Sequence, residues 1–338
     1  MMKEFYLVTG SAGFIGFHLS KKLLSRGFKV IGIDALTNYY DKKLKLKRNS
    51  LLKNYDNYIF YETNLENKSE LKKIFLKHTI KNVIHLAAQA GVRYSLENPE
   101  EYVSTNICGS FNLLEIVKEL DVEHLLLAST SSIYGANTEL PFREVHKTDH
   151  QISTYAATKK AMEILSHSYS YLYKIPTTVF RFFTVYGPWG RPDMALFKFT
   201  NNILKGIPIE VYNKGKMIRN FTYIDDLIES ILKLMEYRPD NLKLVNFEDS
   251  ISRVAPWRVV NIGGAEQTNL MDFINILEVE LGVSAKKIYL DMQLGDVIET
   301  NSSNNLLEKI TGYSPKTNIH QGIREFVKWY REYDGNNK

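Results

Sequence analysis

Cysteine is almost absent from this sequence: Cys108 is the single one among 338 residues. One cysteine cannot form an internal disulfide, and this usage fits a reducing compartment, so we expect a cytoplasmic protein with Cys108 packed in the core. The sequence contains no run of about 18 apolar residues, so no membrane span is predicted. The apolar run that ends at Gly10 is too short for a signal peptide.

Excess charge is also small, with a formal net charge of +5 at pH 7. The basic residues Lys42, Lys43, Lys45, Lys47 and Arg48 alternate with leucines in a helix-like segment. We interpret them as a solvated helix face, and we expect no nucleic-acid partner. The histidines lack metal-ligand spacing, so metal chemistry has no support. With 44% hydrophobic and 24% charged residues, the composition is that of a globular protein of one large or two ordinary domains.

A glycine-rich turn follows the first predicted strand. Gly10 permits a tight turn, Gly13 lets the backbone approach a pyrophosphate, and Gly16 allows close packing of the next helix, whose N-terminus faces the anion. A second strand ends at Asp34, where a carboxylate can bond the adenosine ribose diol, which favours NAD over NADP. Asn38 is expected to support the same ribose. The pattern therefore predicts a dinucleotide-binding turn.

Strands and helices alternate through the first half of the chain. Further apolar strands are predicted at three places within residues 58–128, each separated by a helix-length segment. This alternation predicts an α/β fold of the Rossmann type, with a doubly wound parallel sheet. We expect an NAD-binding domain over residues 1–190, to which later segments return, and a smaller C-terminal α/β lobe over 191–338. His85 ends one of the strands, and we expect its role to be structural.

The strongest candidate for chemistry begins where the last of these strands ends. This position carries a cluster of hydroxyl side chains, Ser129, Thr130, Ser131 and Ser132. Tyr155 and Lys159 follow on one face of a predicted helix, so an ammonium can lie beside a phenol. A tyrosine base at neutral pH needs its pKa lowered by roughly 3, which a lysine and a nicotinamide cation can supply together. The spacing Tyr-x-x-x-Lys occurs three times, but only this copy follows an apolar strand that delivers hydroxyls to the ligand-binding edge, and we predict an active site here.

These motifs together resemble a known family. The glycine turn, the acid after the second strand, and the set of Thr130, Tyr155 and Lys159 are similar to the extended short-chain dehydrogenase/reductase family of nucleotide-sugar enzymes over nearly the whole chain. Residues 85–95 and 181–199 resemble the UDP-glucuronate 4-epimerases within it. The resemblance implies that Tyr155, as phenolate, takes the proton of the sugar 4-hydroxyl while the 4-hydrogen leaves as hydride to bound NAD. Thr130 would hydrogen-bond the same oxygen, and the transient 4-keto sugar would take the hydride back on its opposite face.

The resemblance also assigns binding residues and a partner. Contacts to NAD are expected from the glycine turn and from Phe14, Ile15, Asp34, Asn38, Asn64, Leu65, Leu86, Ala87, Ala88, Tyr155 and Lys159. Contacts to the UDP-sugar, mainly from the C-terminal lobe, are expected from Arg219 at the pyrophosphate, from Arg191, Tyr212, Gln293 and Asp296 around the uridine and its ribose, and from Arg93 at the sugar or phosphate. Asn64 stands where relatives usually carry Asp, which alters the detail of adenine binding. Relatives often pair through the Tyr155 helix and the helix at residues 106–120, so a homodimer is expected.

Ser131 and Ser132 separate this sequence from sister reactions. Related 4,6-dehydratases typically carry Asp and Glu at these positions, and decarboxylases usually carry Glu at the second. Hydroxyls from Thr130, Ser131, Ser132 and Thr184 are expected to hold a substrate carboxylate and to restrain loss of CO₂ from a 4-keto uronate. The favoured hypothesis is therefore 4-epimerisation of UDP-glucuronate to UDP-galacturonate, for a surface polysaccharide.

Several alternatives stay open. The two serines could merely cap backbone at a strand end. The same reaction could act on UDP-glucose or UDP-N-acetylglucosamine, and a UDP-glucuronate decarboxylase is less favoured because Ser132 replaces Glu. A non-catalytic NAD-binding sensor could use the same fold, although the intact Thr130, Tyr155 and Lys159 weigh against it.

Overall fold

The computed structural model describes residues 4–240, 243–245 and 248–335. Its strands, in chain order, are β1 Phe5–Thr9, β2 Val30–Asp34, β3 Tyr58–Glu62, β4 Ile80–His85, β5 His124–Thr130, β6 Thr177–Phe182, β7 Thr184–Tyr186, β8 Ile209–Val211, β9 Ile218–Tyr223, β10 Trp257–Ile262, β11 Gln267–Asn269 and β12 Lys287–Tyr289. Its helices are α1 Phe14–Ser25, α2 Lys42–Lys53, α3 Lys68–Lys77, α4 Tyr94–Glu97, α5 Pro99–Tyr102, α6 Ser110–Val117, α7 Thr154–Tyr173, α8 Ala195–Leu204, α9 Ile224–Met235, α10 Leu270–Leu281, α11 Asn305–Thr311 and α12 Ile319–Gly335. A π-helical segment, Val103–Gly109, joins α5 to α6, and a 3₁₀ turn, Ser131–Tyr134, follows β5.

A seven-stranded parallel sheet forms the centre, in the order β10-β6-β5-β4-β1-β2-β3. Successive residues of a strand point to opposite faces, so Leu7 and Val8 of β1 enter two different apolar clusters. One cluster contains Phe17 of α1, and the other contains Leu113 of α6 and Met162 of α7. Helices therefore cover both faces, and the predicted doubly wound α/β fold is confirmed.

Smaller sheets lie outside this layer. Strands β11, β9 and β7 form a three-stranded sheet, and β12 pairs with β8. Strand β7 already belongs to a smaller sheet, whereas β10, far along the chain, pairs with β6 in the large one. We propose on this basis that two lobes divide near residue 190 and that later chain returns to the first lobe.

Two expectations about individual residues are wrong. Cys108 is exposed, because Asn106 and Gly109 of the π-helical segment face inward and a Cβ on Gly109 would lie 2.6 Å from Leu65 Cβ. In α2, Lys45 and Arg48 are buried rather than solvated.

In the part of the chain that the structure describes, no helix has both the length and the apolar character needed to cross a membrane.

Candidate active site

A cavity of about 1230 Å³ lies at the carboxyl ends of the central strands. This is the edge where open α/β sheets bind ligands. The residues predicted from sequence that line it are Gly10, Gly13, Phe14, Ile15, Gly16, Asp34, Asn64, Leu65, Leu86, Ala87, Ala88, Arg93, Thr130, Ser131, Ser132, Tyr155, Lys159, Thr184, Arg191, Tyr212, Arg219 and Asp296. The structure thus brings nearly the whole predicted set into one cavity.

Asn38 and Gln293 are the exceptions. Asn38 is exposed and does not line the cavity, whereas its neighbours Thr37 and Tyr39 do. Gln293 also lies outside the lining, and its buried Oε1 has no hydrogen-bond partner among the residues that the structure describes. The structure does not bring these two side chains to the predicted site.

The glycine turn forms a cradle that side chains would fill. Gly10 has φ +71°, and a Cβ there would lie 2.9 Å from Ala87 N. A Cβ on Gly16 would lie 2.0 Å from the Gly10 carbonyl oxygen, so only glycine lets α1 begin this close to β1. Gly13 is the N-cap of α1 and offers no side-chain cap, which leaves backbone N–H groups and the positive helix end facing the cavity. These features suit a pyrophosphate.

Asp34 is fixed by backbone donors at the end of β2. Its Oδ2 accepts a hydrogen bond from Ala12 N at 3.0 Å, and its Oδ1 accepts one from Leu36 N at 2.8 Å. Burial raises the pKa of this carboxyl, while these donors and the cations Lys45 and Arg48 oppose the rise. Each oxygen keeps a further lone pair, so Asp34 can accept from a ribose diol.

His85 serves the backbone beside the cavity. Its Nδ1 bonds with Thr9 Oγ1 at 2.8 Å and its Nε2 with Ser110 Oγ at 3.0 Å. Thr9 Oγ1 also accepts from the N–H of Leu86 and of Ala87, two residues along which a dinucleotide would lie. Burial lowers the pKa of His85 to about 3, so it stays neutral, which supports the structural role.

The Tyr155 phenol lies near the Thr130 hydroxyl, close enough for that hydroxyl to lower the pKa of the phenol by hydrogen bonding. Burial raises the pKa of the Tyr155 phenol, whereas the Thr130 hydroxyl and the positive charge of Arg191 lower it. Thr130 Oγ1 also accepts from Ser132 N at 3.1 Å, and it donates to Ser132 Oγ at 3.2 Å. Thr130 therefore caps the 3₁₀ turn itself, and both Ser131 and Ser132 line the cavity.

Lys159 lies behind Tyr155, with 3% of its surface exposed. Its Nζ is directed at Met162 Sδ, 3.7 Å away, so the predicted contact between ammonium and phenol is not made in this structure. Burial lowers the pKa of Lys159 to about 8, and the Glu163 carboxylate opposes that fall. The ammonium is thus poised near neutral pH beside the site.

Several residues predicted to contact the UDP-sugar lie together at the cavity. Arg93 lies 4.2 Å over the Tyr212 ring and donates to Asp296 Oδ2 at 3.0 Å, so three predicted residues form one cluster. Arg219 donates to the carbonyls of Val297 and Ile298 at 2.7 and 3.0 Å. These contacts hold the segment before Thr300 against the site.

Tyr39 and Asp193 also line the site, and sequence reasoning missed both. Asp193 accepts two hydrogen bonds from Arg191, at 3.1 and 2.5 Å, and Tyr39 donates to Asp193 Oδ2 at 3.1 Å. The contact links the loop after β2 to the loop before α8. Asp193 lies within residues 181–199, the run that resembles the related enzymes, so that resemblance could have indicated Asp193 as a site residue. Its contact with Tyr39 could not be predicted from the sequence.

Comparisons with known proteins show the family of this chain. Residues 6–246 match the NAD dependent epimerase/dehydratase family. A relative described as a probable UDP-glucuronate 4-epimerase, from Rhizobium meliloti, is 50% identical over 328 residues, covering 96% of each chain. The crystal structure of UDP-glucuronic acid 4-epimerase from Bacillus cereus, in complex with UDP-glucuronic acid and NAD, is 31% identical with a TM-score of 0.87, and the match covers 97% of this chain and 99% of that one. UDP-glucose 4-epimerase from Thermotoga maritima, with UDP-glucose, is 29% identical with a TM-score of 0.84 and the same coverage.

Proposed function

Because this chain belongs to the NAD dependent epimerase/dehydratase family, we propose that it is an enzyme that interconverts UDP-glucuronate and UDP-galacturonate by epimerisation at carbon 4. One observation carries the choice of substrate. The Thr130–Tyr155 pair lies in a cavity whose neighbouring positions, Ser131, Ser132 and Thr184, all present hydroxyls.

The cofactor is NAD, and the cavity fits it. The glycine cradle and the uncapped start of α1 would hold the pyrophosphate, and Asp34 would hold the adenosine ribose. Leu86, Ala87 and Ala88 would lie along the dinucleotide, and Asn64 and Leu65 near the adenine. When bound, NAD accepts a hydride from carbon 4 of the sugar and returns it.

Proton transfer falls to Tyr155. As phenolate, Tyr155 removes the proton of the sugar 4-hydroxyl, and Thr130 holds the same sugar oxygen by a hydrogen bond. The guanidinium of Arg191 favours the phenolate electrostatically, and a charged Lys159, one helical turn from Tyr155, would add to this effect once its ammonium turns toward the phenol. After the 4-keto sugar has turned over in the cavity, Tyr155 gives the proton back, so no net oxidation results.

The hydroxyls explain why a uronate would survive this chemistry. A 4-keto uronate is a β-keto acid and tends to lose CO₂, and a carboxylate side chain beside it would raise its energy by repulsion. Serine at positions 131 and 132 donates hydrogen bonds without adding charge. Ser132, in particular, stands where a decarboxylase would usually carry Glu.

Incubation of the purified protein with single UDP-sugars tests the proposal. UDP-glucuronate, UDP-glucose and UDP-N-acetylglucosamine are supplied separately without added NAD, and products are followed by NMR. UDP-galacturonate as the dominant product supports retained NAD and the carboxylate pocket. Epimerisation of the neutral sugars without turnover of UDP-glucuronate would indicate a UDP-glucose 4-epimerase, as in the Thermotoga maritima relative. Release of CO₂ together with a UDP-pentose would overturn the role given to Ser132.

Dimerisation and cellular context belong to the same proposal. Exposed apolar side chains lie on α6 and α7, including Phe111 at 40%, Ile164 at 57% and Leu172 at 63% exposure. Such a surface on two adjacent helices suits a second copy of the chain. We propose a cytoplasmic homodimer whose product feeds a polysaccharide, and the oligomeric state can be measured by light scattering.

A further inference from the structure

An ion pair is buried behind the active site and takes no part in the chemistry described above. Glu163 on α7 and Arg181 on β6 have 2% and 3% of their surfaces exposed. Arg181 Nε donates to Glu163 Oε1 at 3.2 Å, and its Nη2 donates to Glu163 Oε2 at 3.0 Å. Neither residue lines the catalytic cavity. A buried pair is weak support for a stabilising role, since desolvation offsets most of the attraction.

The pair is held rigidly in place. Arg181 Nη1 donates to the Tyr134 hydroxyl and to the Glu144 carbonyl, both at 3.1 Å. Tyr134 in turn donates to Asn261 Oδ1 at 2.7 Å, and it ends the 3₁₀ turn that begins at Ser131. Through Arg181, the Glu163 carboxylate of α7 is therefore held in a fixed position relative to the turn Ser131–Tyr134.

Glu163 also stands one helical turn after Lys159, on the same face of α7. The titratable groups near Lys159 are Tyr155, one turn before it on α7, His85 at the end of β4, and Glu163. Glu163 in turn bonds Arg181 on β6 and lies 4.0 Å from the Nζ of Lys160. His85 stays neutral because burial lowers its pKa to about 3. Glu163 is therefore the one carboxylate in this set, and it faces several cations.

From this arrangement we infer, building on the proposed function, that Glu163 is a positioning residue that keeps Lys159 charged during turnover. Arg181 fixes the carboxylate one turn below the ammonium, and Lys159 in turn favours the Tyr155 phenolate. Removal of the negative charge would leave the buried ammonium of Lys159 without this counter-charge, and it would also leave the Arg181 guanidinium without its carboxylate. Lys159 would then lose its proton at a lower pH.

The replacement Glu163→Gln tests the inference in the holoenzyme. Turnover of UDP-glucuronate is measured between pH 5.5 and 9.5, and the rate is expected to fall at the alkaline side of the profile, where Lys159 loses its proton. The falling limb is expected to move by about one pH unit toward acid, so that turnover drops about tenfold at alkaline pH and little at pH 6. Glu163→Asp keeps the charge and should restore the limb. A uniform loss of rate with an unmoved limb would show a merely structural role and overturn the inference.

A second variant covers the case in which Glu163→Gln is unstable. The double replacement of Glu163 by Gln and Arg181 by Met removes both charges, an exchange that buried pairs often tolerate. Because Glu163 is the group closer along α7 to Lys159, the limb should still move toward acid, by less than in the single variant. An unmoved limb in this folded variant would also overturn the inference.

Direct titration of Lys159 separates this inference from the proposed function. Protein labelled with ¹³C at lysine Cε is titrated by NMR with NAD bound, and the Lys159 resonance is identified by its loss in Lys159→Met. A lower titration pH in Glu163→Gln supports the inference even if UDP-glucuronate proves not to be the substrate. If Lys159 titrates at the same pH in the wild type and in Glu163→Gln, and the wild type does epimerise UDP-glucuronate, the role of Glu163 is refuted while the proposed function stands.

Discussion

Arg48 Nη2 donates a hydrogen bond to the Trp189 carbonyl oxygen at 2.6 Å, across 141 positions of the chain. The same guanidinium donates to the carbonyls of Gly190 and Ala12, each at 3.1 Å, and to the Tyr40 hydroxyl at 2.8 Å. Arg48 is fully buried. It thereby ties the glycine turn of the cofactor side to the loop that leads to Arg191 on the substrate side.

Replacement of Arg48 by Met should therefore damage both sides together. It leaves three carbonyl oxygens without their donor, and we expect a loss of about 3 kcal/mol in the free energy of unfolding, with NAD retained less firmly on purification. Urea unfolding and the NAD content of the purified protein measure the two effects. Lys43→Met, in the exposed part of the same helix, is the matched control and should change neither. Wild-type stability in Arg48→Met would refute the link between the two loops.

Tyr155→Phe should remove turnover while binding remains. Without the phenolic oxygen, no group is placed to take the proton of the sugar 4-hydroxyl, so we expect the rate to fall about 10³-fold. Calorimetry should find UDP-glucuronate bound as in the wild type. Tyr173→Phe, at the exposed end of the same helix, provides the control. Wild-type rates in Tyr155→Phe would exclude Tyr155 as the base.

Ser132→Ala should affect the uronate more than a neutral sugar. A hydrogen bond from a hydroxyl to a carboxylate is lost, and we expect kcat/KM for UDP-glucuronate to fall about tenfold relative to UDP-glucose. Paired assays of the two substrates give this ratio directly, and Ser168→Ala on the exposed face of α7 should leave it unchanged. Equal losses on both substrates would place Ser132 away from carbon 6 of the sugar.

Local patterns in the sequence predicted the parts of the site that depend on local geometry. Gly10 and Gly16 stand at a strand-turn-helix junction, where backbone approach requires glycine, and both lie as expected. The hydroxyls after β5 and the residues Tyr155 and Lys159 reach the same sheet edge because parallel strands end there. These relationships follow from spacing and from the alternation of elements, which a sequence displays directly.

Long-range contacts were outside the reach of those patterns. Lys45 and Arg48 occupy an amphipathic helix that looks solvated, but Lys45 donates to Thr37 and Arg48 to a loop beyond residue 187, neither of which helical periodicity reveals. Asn38 is a near neighbour of Asp34 in sequence, yet the chain after β2 turns so that Thr37 and Tyr39 face the cavity instead. Spacing alone also placed Lys159 beside Tyr155, whereas its rotamer is directed at Met162.

Glu144 should make the stability of the protein depend on pH. Burial raises the pKa of this carboxyl to about 7, against the hydrogen bond from Asn261 N and the charge of Arg181. The folded state therefore keeps a proton that the unfolded chain releases above its ordinary pKa of 4.5. The stabilisation from this group is complete below that value and is lost as the pH rises through about 7.

Glu144→Gln should remove this loss, because glutamine stays neutral and can still accept from Asn261 N. Since the side chain is partly exposed, we expect the variant to gain about 2 kcal/mol over the wild type between pH 5 and 8. Urea unfolding at several pH values measures the difference, with Glu332→Gln on the exposed face of α12 as the control. If the difference in the free energy of unfolding is constant across this range, Glu144 is ionised in the folded protein throughout. Its carboxylate would then need a stronger cationic partner than Arg181, whose charge is already paired with Glu163.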